Sequence, residues 1–251
     1  MRSKQIDVLT ATAKAELGYI EKKNGEQLDE KTANVGSGNY TKYARDLIAN
    51  KEISPNPYSQ GAAWCDMFVD WVFIKSFGTV EAERLLIGWS AYTPTSAGYF
   101  KAAKRWHATP KPGDVIFFEN SERICHTGIV YAVDDTHVHC YEGNTSSGVL
   151  VVPNGGAVCA KQYVLSNKAI AGYGRPDYKE EKEMSYEDFK AYMERYLAEQ
   201  AEKGPNPVMA LEEFEQAKEA GITDGTTPQM YATRQQAAVM VHRAFMQKAM
   251  R

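Results

Sequence analysis

The stretch QGAAWCDMFVDWVF, residues 60–73, places a single cysteine directly before a long apolar run. Residues 64–77 follow a helical periodicity, which predicts a buried helix that begins at Trp64 or Cys65. The Cys65 thiol then lies in the first helical turn, where free N–H groups and the macrodipole favour an anion. A cysteine in that position can act as a thiolate nucleophile, and a cysteine that only packs in the core is the simpler alternative.

The segments around this helix predict an α+β domain. Helical periodicity is also present in residues 6–22 and 40–50. Four strand-like segments follow, GDVIFFE (113–119), HTGIVYAVD (126–134), HVHCYEG (137–143) and GVLVVP (148–153). Helices first and strands afterwards, with short turns between the strands, favour N-terminal helices packed on an antiparallel sheet.

The composition is that of a globular protein and excludes several functional classes. The 251 residues are 43% hydrophobic and 24% charged, and the net charge of −3 provides no basic field for nucleic acid. No apolar stretch reaches the length of a membrane span, and the first residues lack the apolar region of a signal peptide. We therefore expect a protein made in a cytoplasm, without membrane insertion and with four reduced cysteines.

A nucleophilic thiol requires a base, and five histidines are candidates. His242 falls in a predicted helix, His107 in a polar loop, and His137 and His139 alternate along one strand. His126 differs because it opens a predicted strand directly after the polar loop ENSERIC, residues 119–125. At that strand edge its side chain can reach a cleft, and a surface position without catalytic role is the alternative.

The next predicted strand ends in YEGNT and places Glu142 and Asn144 on one face. A carboxylate or amide beside a histidine can accept its second N–H and fix the ring. A cysteine opening an aromatic-rich helix, followed by PKPGDVIFF, HTGIV and EGN in this order, resembles the CHAP family. This family, in the NlpC/P60 superfamily, comprises papain-like cysteine amidases and peptidases that cut peptidoglycan, and the resemblance covers roughly residues 39–175.

The resemblance implies a catalytic role for each of four residues. Cys65 is similar to the nucleophile of the family, and His126 to its general base and acid. Glu142 corresponds to the residue that orients the histidine, and Asn144 to a supporting polar group. The fold implied is papain-like.

The residues before the nucleophile depart from the family pattern. Many CHAP sequences have Gln directly before the cysteine, where this chain has Trp64 and carries Gln60 four positions earlier. We therefore expect Gln60 and Trp64 to contact the substrate, with Gln60 as an oxyanion donor. No metal or organic cofactor is expected, because HVHC alternates its ligands between strand faces and residues 49–59, which correspond to a calcium loop of some relatives, contain no Asp.

After about Tyr178 the chain becomes helical and acidic, which predicts a change of domain. We expect a catalytic domain over residues 1–178, a connecting helix over 179–204 and a small all-α module over 205–251. The last segment, with GITDG (221–225) and Thr233-Arg234, resembles a single S-layer homology motif. Such a module could bind cell-wall polymer, pack on the catalytic domain or pair with a second copy of the chain.

Together these features predict a peptidoglycan hydrolase of the endolysin type, from a phage or prophage, that accumulates inside a cell and acts on the wall after release. Two other functions stay open. One is a non-lytic wall-binding protein with a degenerate triad, and the other is a cytosolic thiol amidase acting on small peptide conjugates.

Overall fold

The computed structural model describes residues 4–148, 150–151, 154–179, 185–202, 211–226 and 234–249. The chain divides into two compact units, Met1–Glu181 and Lys182–Arg251. The finer division into segments 1–178, 179–204 and 205–251 stays a prediction.

The first unit begins with helices and ends with strands. The helices are α1 (Lys4–Ala15), α2 (Lys42–Ala49), α3 (Cys65–Phe77), α4 (Thr79–Leu86) and α5 (Thr93–Ala102). The strands are β1 (Trp106–His107), β2 (Val115–Glu119), β3 (Ile124–Val133), β4 (His137–Thr145), β5 (Ala157–Val164) and β6 (Ile170–Gly174). They form one antiparallel sheet in the order β1-β6-β2-β3-β4-β5. The α+β prediction is therefore confirmed, and the papain-like assignment stays a prediction.

Helix α3 is the centre of this unit. Every residue from Cys65 to Phe73 is buried, as expected for a helix that is apolar on nearly all sides. The helix contacts α1, α2 and α4 among the helices and β3 and β4 in the sheet. Strand β4 approaches closely because Gly143 has no side chain, since a Cβ there would lie 2.5 Å from Phe68 Cβ. This close approach places the start of α3 against β4.

The sheet has a separate apolar cluster on each face, because alternate residues of a strand point to opposite sides. Val115 and Phe117 of β2 join the core that includes the helices, whereas Ile116 and Phe118 join a second cluster. The second cluster also contains Val130, Val138, Cys140, Tyr163 and Tyr173. This arrangement provides a buried environment on the face of the sheet opposite to the main core.

Three predicted positions need correction. The first helix was expected over residues 6–22, but α1 ends at Ala15 and Gly18 takes a left-handed φ of 82° that breaks the helical repeat. His126 was expected to open its strand at an edge from which it can reach a cleft, but β3 begins at Ile124 and His126 is fully buried within it. His107 lies in β1 and not in a loop.

The predicted strand GVLVVP is also corrected. Its described members, Gly148, Leu150 and Val151, lie outside the strands, and residues 149, 152 and 153 are outside the described part of the chain. The strand that pairs with β4 is β5 instead, with Glu142 opposite Cys159 and Val138 opposite Tyr163. Lys161 and Gln162 interrupt the apolar run of β5, so its local pattern was a weak strand signal.

The described residues of the second unit contain the helices α6 (Tyr186–Glu202), α7 (Leu211–Glu219) and α8 (Arg234–Ala249). In the GITDG segment between α7 and α8, the Gly225 N–H donates to Thr223 Oγ1 at 3.2 Å. The Arg243 guanidinium of α8 donates to the Gly221 carbonyl at 3.3 Å. Thr233 lies outside the described residues, and the S-layer-like and all-α assignments stay predictions. No helix in the described residues is long and apolar enough to cross a membrane.

Candidate active site

Cys65 is the first residue of α3 and retains only 4% of its surface exposed. The N-cap residue, Trp64, makes no side-chain hydrogen bond to the first turn. Helix α2 differs, because Thr41 caps it by accepting from the Ala44 N–H at 3.1 Å. The first N–H groups of α3 have no acceptor within the helix, so they favour negative charge at the Cys65 position.

Trp64 and Gln60 have contacts inside the protein. Trp64 is fully buried, stacks on Tyr43 with ring centroids 5.5 Å apart, and donates its indole N–H to Glu21 Oε2 at 2.9 Å. Gln60 Oε1 accepts from the Thr41 N–H at 3.0 Å, and Nε2 donates to the Thr41 carbonyl at 2.8 Å. Both side chains therefore hold the loop that leads to Cys65. Contact of Trp64 with substrate would require it to leave the core, and the substrate roles of both residues stay predictions.

His126 and Glu142 form a buried pair across β3 and β4. His126 Nε2 lies 2.9 Å from Glu142 Oε2, and both side chains are fully buried. The imidazole also packs on Phe118, with ring centroids 5.8 Å apart. Its other nitrogen, Nδ1, has no hydrogen-bond partner among the described residues.

The Cys65 thiol belongs to the same cluster. Burial alone would lower the pKa of His126, but the interactions with Cys65 and then with Glu142 outweigh it and raise the pKa to about 10. The sulfur therefore lies beside the imidazole, although the pair does not reach standard hydrogen-bond geometry at Nδ1. Contacts between a nucleophile and its base are often loose before substrate binds. The structure thus brings Cys65, His126 and Glu142 together.

Asn144 lies beside this cluster with different partners. It has a left-handed φ of 55°, at an irregularity of β4 between Glu142 and Thr145. Its Oδ1 accepts from the Gly156 N–H at 3.3 Å, and its carbonyl accepts from the Gly155 N–H at 2.8 Å. Its Nδ2 has no partner among the described residues. Asn144 thus binds the turn before β5, and its predicted support of His126 stays a prediction.

Two more groups contact Glu142, and the sequence analysis missed them. Cys140 Sγ donates to Oε1 at 3.0 Å, and the Tyr163 hydroxyl donates to Oε2 at 3.3 Å. Strand alternation places Cys140 and Glu142 on one face, which was a usable signal. No local signal marked Tyr163, because its strand was not predicted.

Two buried carboxylates follow the nucleophile on α3 and were also missed. Asp66 accepts from Ser96 Oγ at 2.6 Å, and burial raises its pKa to about 7. Asp70 accepts from the Tyr58 hydroxyl at 2.6 Å, and burial followed by the charge of Asp66 raises its pKa well above the usual range. Their spacing of four residues within an apolar helix was the available signal.

The remaining thiols and histidines have other environments. Burial raises the pKa of Cys125, Cys140 and Cys159, which makes them poor nucleophiles at neutral pH, and none of the four cysteines forms a disulfide. His139 Nε2 lies 2.8 Å from Asp134 Oδ2 at the surface. Among the described residues, no three His, Cys, Asp or Glu side chains are grouped as a metal site requires.

In a comparison with protein families, residues 57–144 match the CHAP domain. The match spans about a third of the chain and contains the cysteine, histidine and glutamate of the cluster. It supports a CHAP-type domain in this chain. Comparisons with curated proteins and with solved structures find no match.

Proposed function

We propose that this chain is a peptidoglycan hydrolase of the endolysin type that cleaves an amide bond with Cys65 as nucleophile. CHAP domains are generally associated with amidase or endopeptidase activity on peptidoglycan, which supports the reaction class and substrate. The observation that carries the proposal is the position of His126, which contacts Glu142 through Nε2 and has Nδ1 free for the Cys65 thiol.

The chemistry follows from this order of groups. The Cys65 thiol transfers its proton to His126 Nδ1, and the thiolate attacks the amide carbonyl to form an S–C bond. The oxyanion that develops is stabilised by the Cys65 backbone N–H, which has no acceptor inside α3 at the first helical position. The tetrahedral intermediate then expels the amine, which takes the proton from His126.

Hydrolysis of the thioester restores the enzyme. His126 Nδ1 accepts a proton from water as the hydroxide attacks the acyl carbon, and the Cys65 sulfur leaves and is reprotonated by the same imidazole. Glu142 holds the ring through Nε2 and stabilises its positive charge in both steps. In this mechanism the Cys65, His126 and Glu142 side chains and the Cys65 backbone N–H carry out every step, without a metal or organic cofactor.

The second unit is proposed to direct the enzyme to the wall. Its segment at residues 221–249 resembles an S-layer homology motif, which supports binding to a cell-wall polymer. With such a tail, the enzyme would act on the wall after release from the cell that makes it.

The test compares the full chain with Cys65→Ala on purified bacterial sacculi. We expect the wild type to lower the turbidity of the suspension and Cys65→Ala to lose at least about 10³-fold in rate. Cys159→Ala removes a different, half-buried thiol and serves as the control that retains activity. Mass spectrometry of the digest identifies the bond, because each amide leaves a different new amine.

Other results would favour the alternatives. Equal and negligible clearing by wild type and Cys65→Ala, with retention on sacculi in a pull-down, would indicate a non-lytic wall-binding protein. Cys65-dependent hydrolysis of small soluble peptide amides, without binding to sacculi, would indicate a cytosolic amidase.

A further inference from the structure

Three hydrogen-bond donors converge on the Glu142 carboxylate. Oε2 lies 2.9 Å from His126 Nε2 and 3.3 Å from the Tyr163 hydroxyl, and Oε1 lies 3.0 Å from Cys140 Sγ. The residues that supply these donors come from β3, β5 and β4. Since Glu142 is fully buried, these contacts replace the water that an exposed carboxylate would bind.

The two additional donors are fixed by the sheet itself. Cys140 precedes Glu142 by two residues on the same face of β4, and it is fully buried. Tyr163 lies on β5, where it pairs with Val138, and its ring packs on Phe118 at 4.8 Å. Phe118 also packs on His126, so one aromatic ring supports both the histidine and the tyrosine.

We infer that Cys140 and Tyr163 are positioning residues of the proposed hydrolase, which fix the Glu142 carboxylate so that it holds the His126 ring towards Cys65. This inference rests on the proposed function. Hydrogen bonds to an ionised carboxylate favour that state and fix its orientation. Tyr163 lies outside the part of the chain that matches the CHAP domain, so the family match does not include this contact.

Cys140 acts here as a donor and not as a second nucleophile. Burial, and then the negative charge of Glu142, raise the pKa of this thiol well above its usual value. It therefore keeps its proton at the pH where Cys65 works, and that proton is the one shared with Glu142 Oε1. A serine at position 140 would keep such a donor, whereas an alanine would remove it.

Strand β5 carries two further titratable groups near Glu142, Cys159 and Lys161. Cys159 pairs with Glu142 in the register of the sheet. The Lys161 ammonium is engaged by the carbonyls of Ser146 and Leu150, each at 2.8 Å. Among the described residues, neither Cys159 nor Lys161 has a hydrogen bond to Glu142. The substitutions therefore remove the hydrogen bonds that Cys140 and Tyr163 donate to it.

The test uses the full chain with Tyr163→Phe, Cys140→Ala and Cys140→Ser. Tyr173→Phe is the matched control, because Tyr173 is a buried tyrosine of the same apolar cluster without a described hydrogen bond to Glu142. Two quantities are measured, the rate of sacculus solubilisation and the pH dependence of Cys65 alkylation by iodoacetamide, followed by peptide mass spectrometry. Alkylation needs no wall substrate, so it tests the positioning even where the proposed function fails.

We expect Tyr163→Phe and Cys140→Ala each to lower the solubilisation rate about tenfold. The acid limb of the alkylation profile should move to higher pH, because a Glu142 carboxylate that is held less firmly supports the positive charge of His126 less, and this charge favours the Cys65 thiolate. Cys140→Ser and Tyr173→Phe should stay within about twofold of the wild type in rate.

Unchanged rates and an unchanged acid limb in Tyr163→Phe and Cys140→Ala would overturn the inference. A lower melting temperature and rate with an unmoved acid limb would also overturn it, since that result indicates a structural role alone. If Tyr163→Phe does not fold, the inference is tested by Cys140→Ala and Cys140→Ser alone. Equal rates and equal acid limbs in these two variants would then overturn it. If the variants shift the acid limb of Cys65 alkylation as expected but the wild type leaves sacculi intact, the proposed function is refuted. The positioning role of Cys140 and Tyr163 would still stand.

Discussion

The indole N–H of Trp64 donates to Glu21 Oε2 at 2.9 Å and thereby joins the segment after α1 to the residue before the nucleophile. Trp64 is fully buried and Glu21 retains 6% of its surface. Glu21 lies outside residues 57–144, which match the CHAP domain. The N-terminal segment is therefore part of the scaffold around Cys65.

Glu21→Ala should destabilise the first unit by about 1–3 kcal/mol, because it leaves a buried indole N–H without an acceptor. Glu21→Gln is the matched control, because its side chain has the same length and keeps an oxygen that can accept from the indole N–H. It should lose less unfolding free energy than Glu21→Ala. Urea unfolding of both variants and the wild type, followed by tryptophan fluorescence, measures the difference. Equal stability of Glu21→Ala and the wild type would show that the Glu21–Trp64 contact does not stabilise the fold.

Glu142 and Asn144 lie two residues apart but contact different groups, so their substitutions should have different effects. Glu142→Gln removes the negative charge beside His126 and should lower the solubilisation rate about 10²-fold or more. Asn144→Gly removes a side chain that binds Gly156, while glycine tolerates the φ of 55°, so the loss should stay below about tenfold.

The comparison is read from initial rates on sacculi for both variants, with circular dichroism to confirm that each is folded. A loss in Asn144→Gly as large as that in Glu142→Gln would assign the supporting catalytic role to Asn144. A Glu142→Gln variant with wild-type rate would remove Glu142 from the proposed mechanism.

The sequence indicated the parts of the site that depend on local pattern. Cys65 could be placed at a helix start because its apolar run has helical periodicity, and His126 and Glu142 came from a motif order that resembles a family. Tyr163 could not be found, since its contact depends on the register between β4 and β5, which a local pattern does not specify. The role of Glu21 could not be predicted either, because its contact with Trp64 joins residues 43 positions apart in the sequence.

Asp66 gives the protein a pH-dependent stability. Burial raises its pKa in the folded protein to about 7, above the usual 3.8, so the folded state holds this proton more tightly than the unfolded state. The stabilisation is complete below about pH 3.8 and is lost as the pH rises through about 7. Asp70, whose pKa is also raised by burial and by Asp66, adds to the change in the same direction.

Asp66→Asn should remove part of this dependence, because an amide does not titrate and can still accept from Ser96. Relative to the variant, the wild type should lose roughly 4 kcal/mol of unfolding free energy between pH 4 and pH 8. Urea unfolding of both proteins at pH 4, 6 and 8 measures this difference. A constant difference across the three pH values would contradict the buried, protonated state of Asp66.

Gly128 provides the space that Glu142 occupies. A Cβ at position 128 would lie 2.6 Å from Glu142 Cγ and 2.8 Å from the Tyr141 carbonyl oxygen. Gly128→Ala should therefore displace the carboxylate from His126, lower the solubilisation rate at least about tenfold and cost about 1–3 kcal/mol of stability.

Gly98→Ala is the matched control for this substitution. Gly98 lies in α5, and a Cβ there would meet no atom within 4 Å, so alanine should instead stabilise the helix by about 0.5–1 kcal/mol. Thermal unfolding and initial rates on sacculi compare the two variants. If Gly128→Ala is as active as Gly98→Ala, hydrolysis does not depend on the position of the Glu142 carboxylate beside His126. The orienting role of Glu142 would then be wrong.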